Sequence, residues 1–180
     1  MSLCYFLSDL RSVSKSNSGL VNLKWFLISH TLHLLFLIRT GQVFRRLPFI
    51  GKLLGFVTEY IIRVIYSSDI SCRAKIGPGF SIIHGHDIVI GADVIIGSGC
   101  KIFNGVTLGN KDISQSSFGN QPVVGNNVVL STGAKILGAI TIGDNVIVGA
   151  NSVVLKSVPS NVVVAGVPAK VIKNVGSKQI

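Results

Sequence analysis

Charge is scarce in this sequence and acidic charge scarcer still: 13% of residues are charged, with 7 Asp and Glu against 17 Lys and Arg. The formal net charge of +10 selects against cationic partners and suits anionic small molecules or a membrane face. The basic residues are scattered. Arg45–Arg46 is the only adjacent pair, and no basic stripe interleaved with aromatics exists, so nucleic acid is not an expected partner. Cysteine is also sparse. Cys4, Cys72 and Cys100 make an odd set without ligand spacing, which excludes a disulfide framework and a zinc motif and fits free thiols in a reducing cytoplasm. No metal is expected. Proline is rare beside glycine, 5 against 20, which indicates tight backbone corners rather than a disordered chain. No apolar run reaches the roughly 20 residues of a spanning helix. The longest near the start, Trp25 to Ile38, includes His30 and His33. Asp9 and Arg11 precede it without a small-residue cleavage site, so a secretory signal is not expected.

What is present divides at about residue 68. Residues 1–68 are rich in Leu, Phe, Ile and Arg and contain two apolar stretches of helical length, Leu20 to Phe44 and Ile50 to Tyr66. Arg39–Thr40–Gly41 and Leu47–Pro48 are the expected interruptions. Both stretches are apolar around most of their circumference and need a large surface to cover them. Packing on the rest of the chain or on another subunit is the favoured reading. The sharper alternative is peripheral contact with the inner membrane, Arg39, Arg45, Arg46, Lys52 and Arg63 meeting lipid phosphates.

From Asp69 to about residue 175 a six-residue beat takes over. In frame from Ile90 it reads IGADVI, IGSGCK, IFNGVT, and from Val124 VGNNVV, LSTGAK, ILGAIT, IGDNVI, VGANSV. An aliphatic residue takes the first place, a small or β-branched one usually the fifth, and Gly, Asn, Asp or Ser the corners. That is the signature of a parallel β-helix, in which three hexapeptides close one coil and stacked coils bury the first-place residues. Cys100 holds a fifth place and is expected inside.

The beat slips twice. Ile76 and Ile82 are two residues out of step with Ile90 and its successors, and the slip falls on "IIHGHD", Ile82 to Asp87. The second break lies between Leu108 and Val124, where polar, glycine-containing residues predict an extruded loop over 110–122. Departures from an otherwise obeyed rule mark candidate sites. Two nearby histidines, His84 and His86, would face the same way on a strand, yet two imidazoles alone do not make a metal site.

D-I-x(13)-H from Asp69 to His84, "NGVTLGN" at Asn104–Asn110, "GAKILGAITIGDNVIVGANSVVLKSVP" at Gly133–Pro159 and "AGVPAK" at Ala165–Lys170 resemble the left-handed β-helix acyltransferases, most nearly the serine acetyltransferase group. The resemblance implies an all-β catalytic domain, a left-handed parallel β-helix over 69–175, preceded by a short α-helical region over 1–68 and followed by a tail at 176–180. The hand comes from the resemblance alone. It also implies an acetyl-CoA-dependent acyltransferase in which His84 is the general base and Asp69 orients it. An imidazole near neutrality takes a hydroxyl proton as the oxygen attacks a thioester, and a carboxylate on its other nitrogen fixes the tautomer. For acetyl-CoA the matching positions are Asn110, Thr132 and Ala150, with Lys170 and Lys173 for the phosphates. A homotrimer is implied, pairing of trimers being left open.

Two departures bear on the acceptor. Ile83 stands where the group carries an acidic residue before the base, and Gln121 where it carries a second histidine. Together with His86 these are the expected acceptor-side residues. An apolar Ile83 cannot pair with an ammonium. The expected reaction is therefore O-acetylation of a sugar hydroxyl on a bacterial surface polysaccharide, capsule or O-antigen, on a saccharide acceptor carried by a membrane lipid. In this it resembles acetyltransferases of the colanic acid type. Serine O-acetylation in cysteine biosynthesis is the alternative, and N-acetylation of an amino sugar or a non-catalytic scaffold stay open. The expected location is the cytoplasm, with peripheral contact at the inner membrane.

Overall fold

The computed structural model describes residues 2–112 and 114–175, so the expected tail at 176–180 lies outside the described residues. Four helices come first: α1 (Ser2–Ser14), α2 (Gly19–Ile28), α3 (His30–Phe44) and α4 (Gly51–Tyr66). Fifteen short strands follow, numbered in chain order and stacked into three sheets. One sheet holds β1 (Asp69–Ile70), β4 (Val89–Ile90), β7 (Thr107–Gly109), β10 (Lys135–Leu137) and β13 (Val153–Val154). A second holds β2 (Lys75–Ile76), β5 (Ile95–Ile96), β8 (Val123–Val124) and β11 (Thr141–Ile142). The third holds β3 (Ser81–Ile83), β6 (Lys101–Phe103), β9 (Val129–Leu130), β12 (Ile147–Val148), β14 (Val162–Gly166) and β15 (Ala169–Asn174). All pairings are parallel except β14 with β15. The chain is a parallel β-helix of hexapeptide repeats with a helical N-terminal region.

First-place residues form the core. Ile70, Ile90, Leu108, Ile136 and Val154 stack inside one sheet, and Ile82, Ile102, Leu130, Val148 and Val164 inside another, all buried. Fifth-place Val94, Val106, Val128, Ala134 and Val146 fill the space between them, with Cys100 among them as expected. Some corners require the left-handed backbone, which asparagine tolerates better than most residues. Asn127, Asn145 and Asn161 have φ of 54°, 57° and 63°. Their amides form a ladder up one corner, Asn127 Nδ2 donating to Asn145 Oδ1 at 3.3 Å and Asn145 Nδ2 to Asn161 Oδ1 at 2.8 Å.

The helical region departs from the sequence reading in three ways. The apolar stretch from Leu20 is broken at Ser29, where α2 and α3 meet at 95°. The expected stop at Arg39–Thr40–Gly41 lies inside α3. Gly41 is there because a Cβ would collide with Cys72 of the first coil. Finally, α1 forms ahead of the first expected stretch, with Phe6, Leu10 and Val13 on one face packed against the core and a buried ion pair holding it down. Arg39 Nε donates to Asp9 Oδ2 at 2.8 Å and Nη2 to Asp9 Oδ1 at 3.2 Å, with Asp9 at 0% and Arg39 at 1% exposure. The remaining guanidinium hydrogens go to Gln42 Oε1 at 3.2 Å, Ile76 O at 2.7 Å and Gly77 O at 2.6 Å. Asp9 also accepts the Phe80 N–H at 2.9 Å, so one cluster rivets α1, α3 and the first coil. Burial pushes the Asp9 carboxyl above its ordinary value, while Arg39 and the Phe80 N–H pull it back.

The expected row of five lipid-facing cations is thereby reduced. Arg39 is internal, Arg45 pairs with Glu59 at 3.0 Å, and Arg63 pairs with Asp69 at 2.6 Å. Arg46 and Lys52 remain exposed without a side-chain partner among the described residues.

Candidate functional site

Strand register locates the two slips. Asp69 pairs with Val89, a step of twenty residues, and Val89 with Thr107, a step of eighteen. The first coil thus holds two residues more than a regular one, and they lie at the corner between β3 and β4. His84 sits at that corner with φ 56° and Asp87 with the same value. The His86 N–H donates to the His84 carbonyl at 2.8 Å, a tight turn that a straight strand would not contain. Both imidazoles belong to this turn, not to a strand as the sequence reading supposed, and both residues are exposed. Gly85 between them is buried against Leu34 of α3, so the helical region backs the corner.

The same corner continues upward. In register above His84 stands Asn104, then Thr132, then Ala150. Thr132 Oγ1 donates to Asn104 Oδ1 at 3.3 Å. Backbone bonds tie the levels: Gly105 N–H to His86 O at 3.3 Å, Gly133 N–H to Asn104 O at 2.9 Å, and Asn151 N–H to Thr132 O at 2.8 Å. His84, Thr132 and Ala150 thus share one edge of the prism. Asn104 joins them and was not singled out as a site residue, although the quoted NGVTLGN begins on it.

Asp69 is the exposed outer residue of β1, on the face that follows this edge. Its carboxylate accepts from Arg63 Nη2 of α4, and among the described residues no hydrogen bond joins it to His84. The expected direct contact from Asp69 to an imidazole nitrogen is replaced by this pair. The side chains of Arg63 and Asp69 are 57% and 58% exposed, so it is a surface pair in high dielectric, easily exchanged.

The second break is a step of twenty-eight, from Thr107 to Lys135. The extra ten residues form the loop between β7 and β8. Asn110 opens it, its Nδ2 donating to Gln115 O at 3.0 Å while its buried Oδ1 has no partner among the described residues. Gln121 closes it. The amide is 8% exposed, packs over Gly91, and its Oε1 accepts the Asp93 N–H at 2.7 Å. Asp93 Oδ2 in turn accepts the Gly119 N–H at 2.8 Å. Gln121 therefore pins the foot of the loop to the coil below. Ile83 ends β3 half-buried, in register with Phe103. Lys170 and Lys173 project exposed from β15, at the far end of the stack.

Residues 121–156 match the family model described as bacterial transferase hexapeptide (six repeats). A serine acetyltransferase of Synechococcus elongatus is 43% identical over 132 residues, 73% of this chain and 52% of that protein. The crystal structure of Neisseria gonorrhoeae serine acetyltransferase superposes with a TM-score of 0.85 at 27% identity, covering 98% of this chain and 68% of that one. A serine acetyltransferase in complex with CoA gives 0.81 at 30% identity, covering 95% and 69%. The chain spans about half the length of the curated relatives it matches.

These relatives overturn the expected polysaccharide acceptor and the likeness to the colanic acid type, since those named are serine acetyltransferases. The acceptor argument leaned on Ile83 and Gln121, and the structure removes the second: the Gln121 side chain is turned inward onto backbone rather than out towards a substrate. Repeat architecture, helical preface and kinship agree, and the chain belongs to the hexapeptide-repeat acetyltransferases of the serine acetyltransferase type.

Proposed function

We propose that this chain transfers the acetyl group of acetyl-CoA to the hydroxyl of serine. The observation that carries the reading is the two-residue excess that turns His84 out of the coil wall, on the edge it shares with Thr132 and Ala150. The names of the relatives supply the substrates. An exposed imidazole at a rigid turn can receive the hydroxyl proton as oxygen attacks the thioester carbonyl, and return it to the departing thiolate. The acetyl–sulfur bond breaks as the acetyl–oxygen bond forms, with no acyl-enzyme. Asp69, one corner away, serves as the carboxylate partner once its exposed bond to Arg63 is exchanged. Its position on rigid β1 and the weakness of surface pairs support that role. The donor lies along the edge rising through Thr132 and Ala150, with Lys170 and Lys173 reaching its phosphates, while Asn110, on the next edge after β7, reaches it from a neighbouring copy. Assembly as a homotrimer is part of this reading, with neighbouring copies closing the donor groove.

Thiol release from acetyl-CoA, followed with serine as acceptor, tests the proposal. The wild-type chain should turn over, and His84→Ala should lower kcat by about 10²–10⁴-fold, the range of general acid–base catalysis, with little change in KM. Turnover that survives His84→Ala removes the base from His84. No turnover of serine by a folded chain refutes the substrate.

A further inference from the structure

A concavity lies away from the His84 edge. It opens between the ends of α1 and α3 and the first coil, against β2 and β5, with a volume of ≈ 490 Å³. Tyr5, Gln42, Arg45, Arg46, Arg73 and Lys75 line it, and no carboxylate does. Glu59, which bonds two of the lining residues, is engaged by Arg45 Nη2 at 3.0 Å, the Cys72 N–H at 2.8 Å and the Ser71 hydroxyl at 3.3 Å. Arg46, Arg73 and Lys75 have no side-chain partner among the described residues, and Arg45 Nε is a buried donor with none.

Four cations around one hollow, with a single committed carboxylate beside them, repel each other unless an anion enters. Arginine forks match the oxygens of a phosphate better than a lysine-only site would. The volume falls within the roughly 300–1,000 Å³ of small-molecule sites, so it admits a phosphate together with part of an organic body. Tyr5 and the backbone of β2 supply walls for that body.

We infer that this cavity is a binding site for a phosphate ester, separate from the site of acetyl transfer. The phosphate arrives either on a soluble metabolite or on a lipid headgroup. Leu47, Phe49 and Ile50, exposed in the turn after Arg46, stand next to the cavity's rim along the chain and could meet the apolar part of such a lipid.

The test uses the full chain. Inorganic pyrophosphate is titrated calorimetrically, and vesicles of phosphatidylcholine with and without phosphatidic acid are floated with the protein. Arg73→Glu and Arg46→Glu alter the cavity. Lys101→Glu, on the outer face of β6, and Lys156→Glu, both at exposed lysines outside the cavity, control for general loss of charge. Pyrophosphate binding weakened about tenfold or more by either cavity variant, and by neither control, supports the site and a soluble ligand. Flotation only with phosphatidic acid, lost in the cavity variants alone, supports the site and a headgroup. Absence of both kinds of binding, equal weakening by the controls, or binding unchanged in both cavity variants overturns the inference. Circular dichroism of each variant establishes that it is folded.

Discussion

Removing the carboxylate of Asp9 should unlock the helical region from the β-helix. Asp9→Ala leaves the Arg39 guanidinium buried with two hydrogens unpaired, and leaves the Phe80 N–H without its acceptor. Breaking a buried ion pair by deleting one partner costs about 3–5 kcal/mol, because the surviving charge keeps its desolvation without its counterion. For a chain of this size that corresponds to a fall in melting temperature of about 6–20 °C. Guanidinium unfolding followed by circular dichroism, with Trp25 fluorescence as a probe inside α2, measures it. The double substitution Asp9→Leu with Arg39→Met removes both charges. It should be less damaging than Asp9→Ala, although the carbonyls of Ile76 and Gly77 then lose their donor. A loss below about 1 kcal/mol for Asp9→Ala, or a double variant weaker than the single one, would refute the assignment of this pair as the rivet.

Two further outcomes follow from local geometry. Asn145→Ala places an alanine at φ 57° and breaks the ladder at its middle rung, so it should destabilise by about 1–2 kcal/mol. Asn145→Gly, which tolerates that backbone, should cost less, and equal losses in chemical denaturation would show that the conformation carries no penalty. The cysteines should separate under iodoacetamide at pH 8. Burial, with Glu59 adding to it, pushes the Cys72 thiol up to about 12, and burial also raises Cys100, whereas Cys4 is exposed. About one Cys72 in ten thousand is then thiolate. Mass spectrometry of the native chain should find Cys4 alkylated first, and early modification of Cys72 would contradict its burial.

The coil was legible because one rule repeats. Each aliphatic first place predicts an inward residue, and the register needs only addition. The excess at "IIHGHD" marked the corner of His84 for the same reason. The helical region obeys no such rule. Ser29 breaks an apolar stretch without glycine or proline because the corner lets α3 turn its apolar face onto the first coil. Gly41 reads as a breaker but is a contact point, a distinction that depends on Cys72 thirty-one residues away. The partner of Arg39 is thirty residues away, on α1. At the candidate site, the sequence supplied Asp69 and His84 but could not rank competitors. Arg63, six residues before Asp69, reaches it first. Gln121 shows the converse error, a side chain assigned to substrate that instead holds the backbone of the coil below.

The antiparallel pairing of β14 with β15 has a consequence beyond this fold's interior. A stack of parallel coils exposes, at its last rung, a row of amides and carbonyls that another chain could copy indefinitely. By folding back, residues 169–174 occupy that row and reverse its direction on one side of the prism. Cutting the chain before Ala169 would leave a soluble-looking solenoid with an open, growing end, prone to fibres rather than to defined particles.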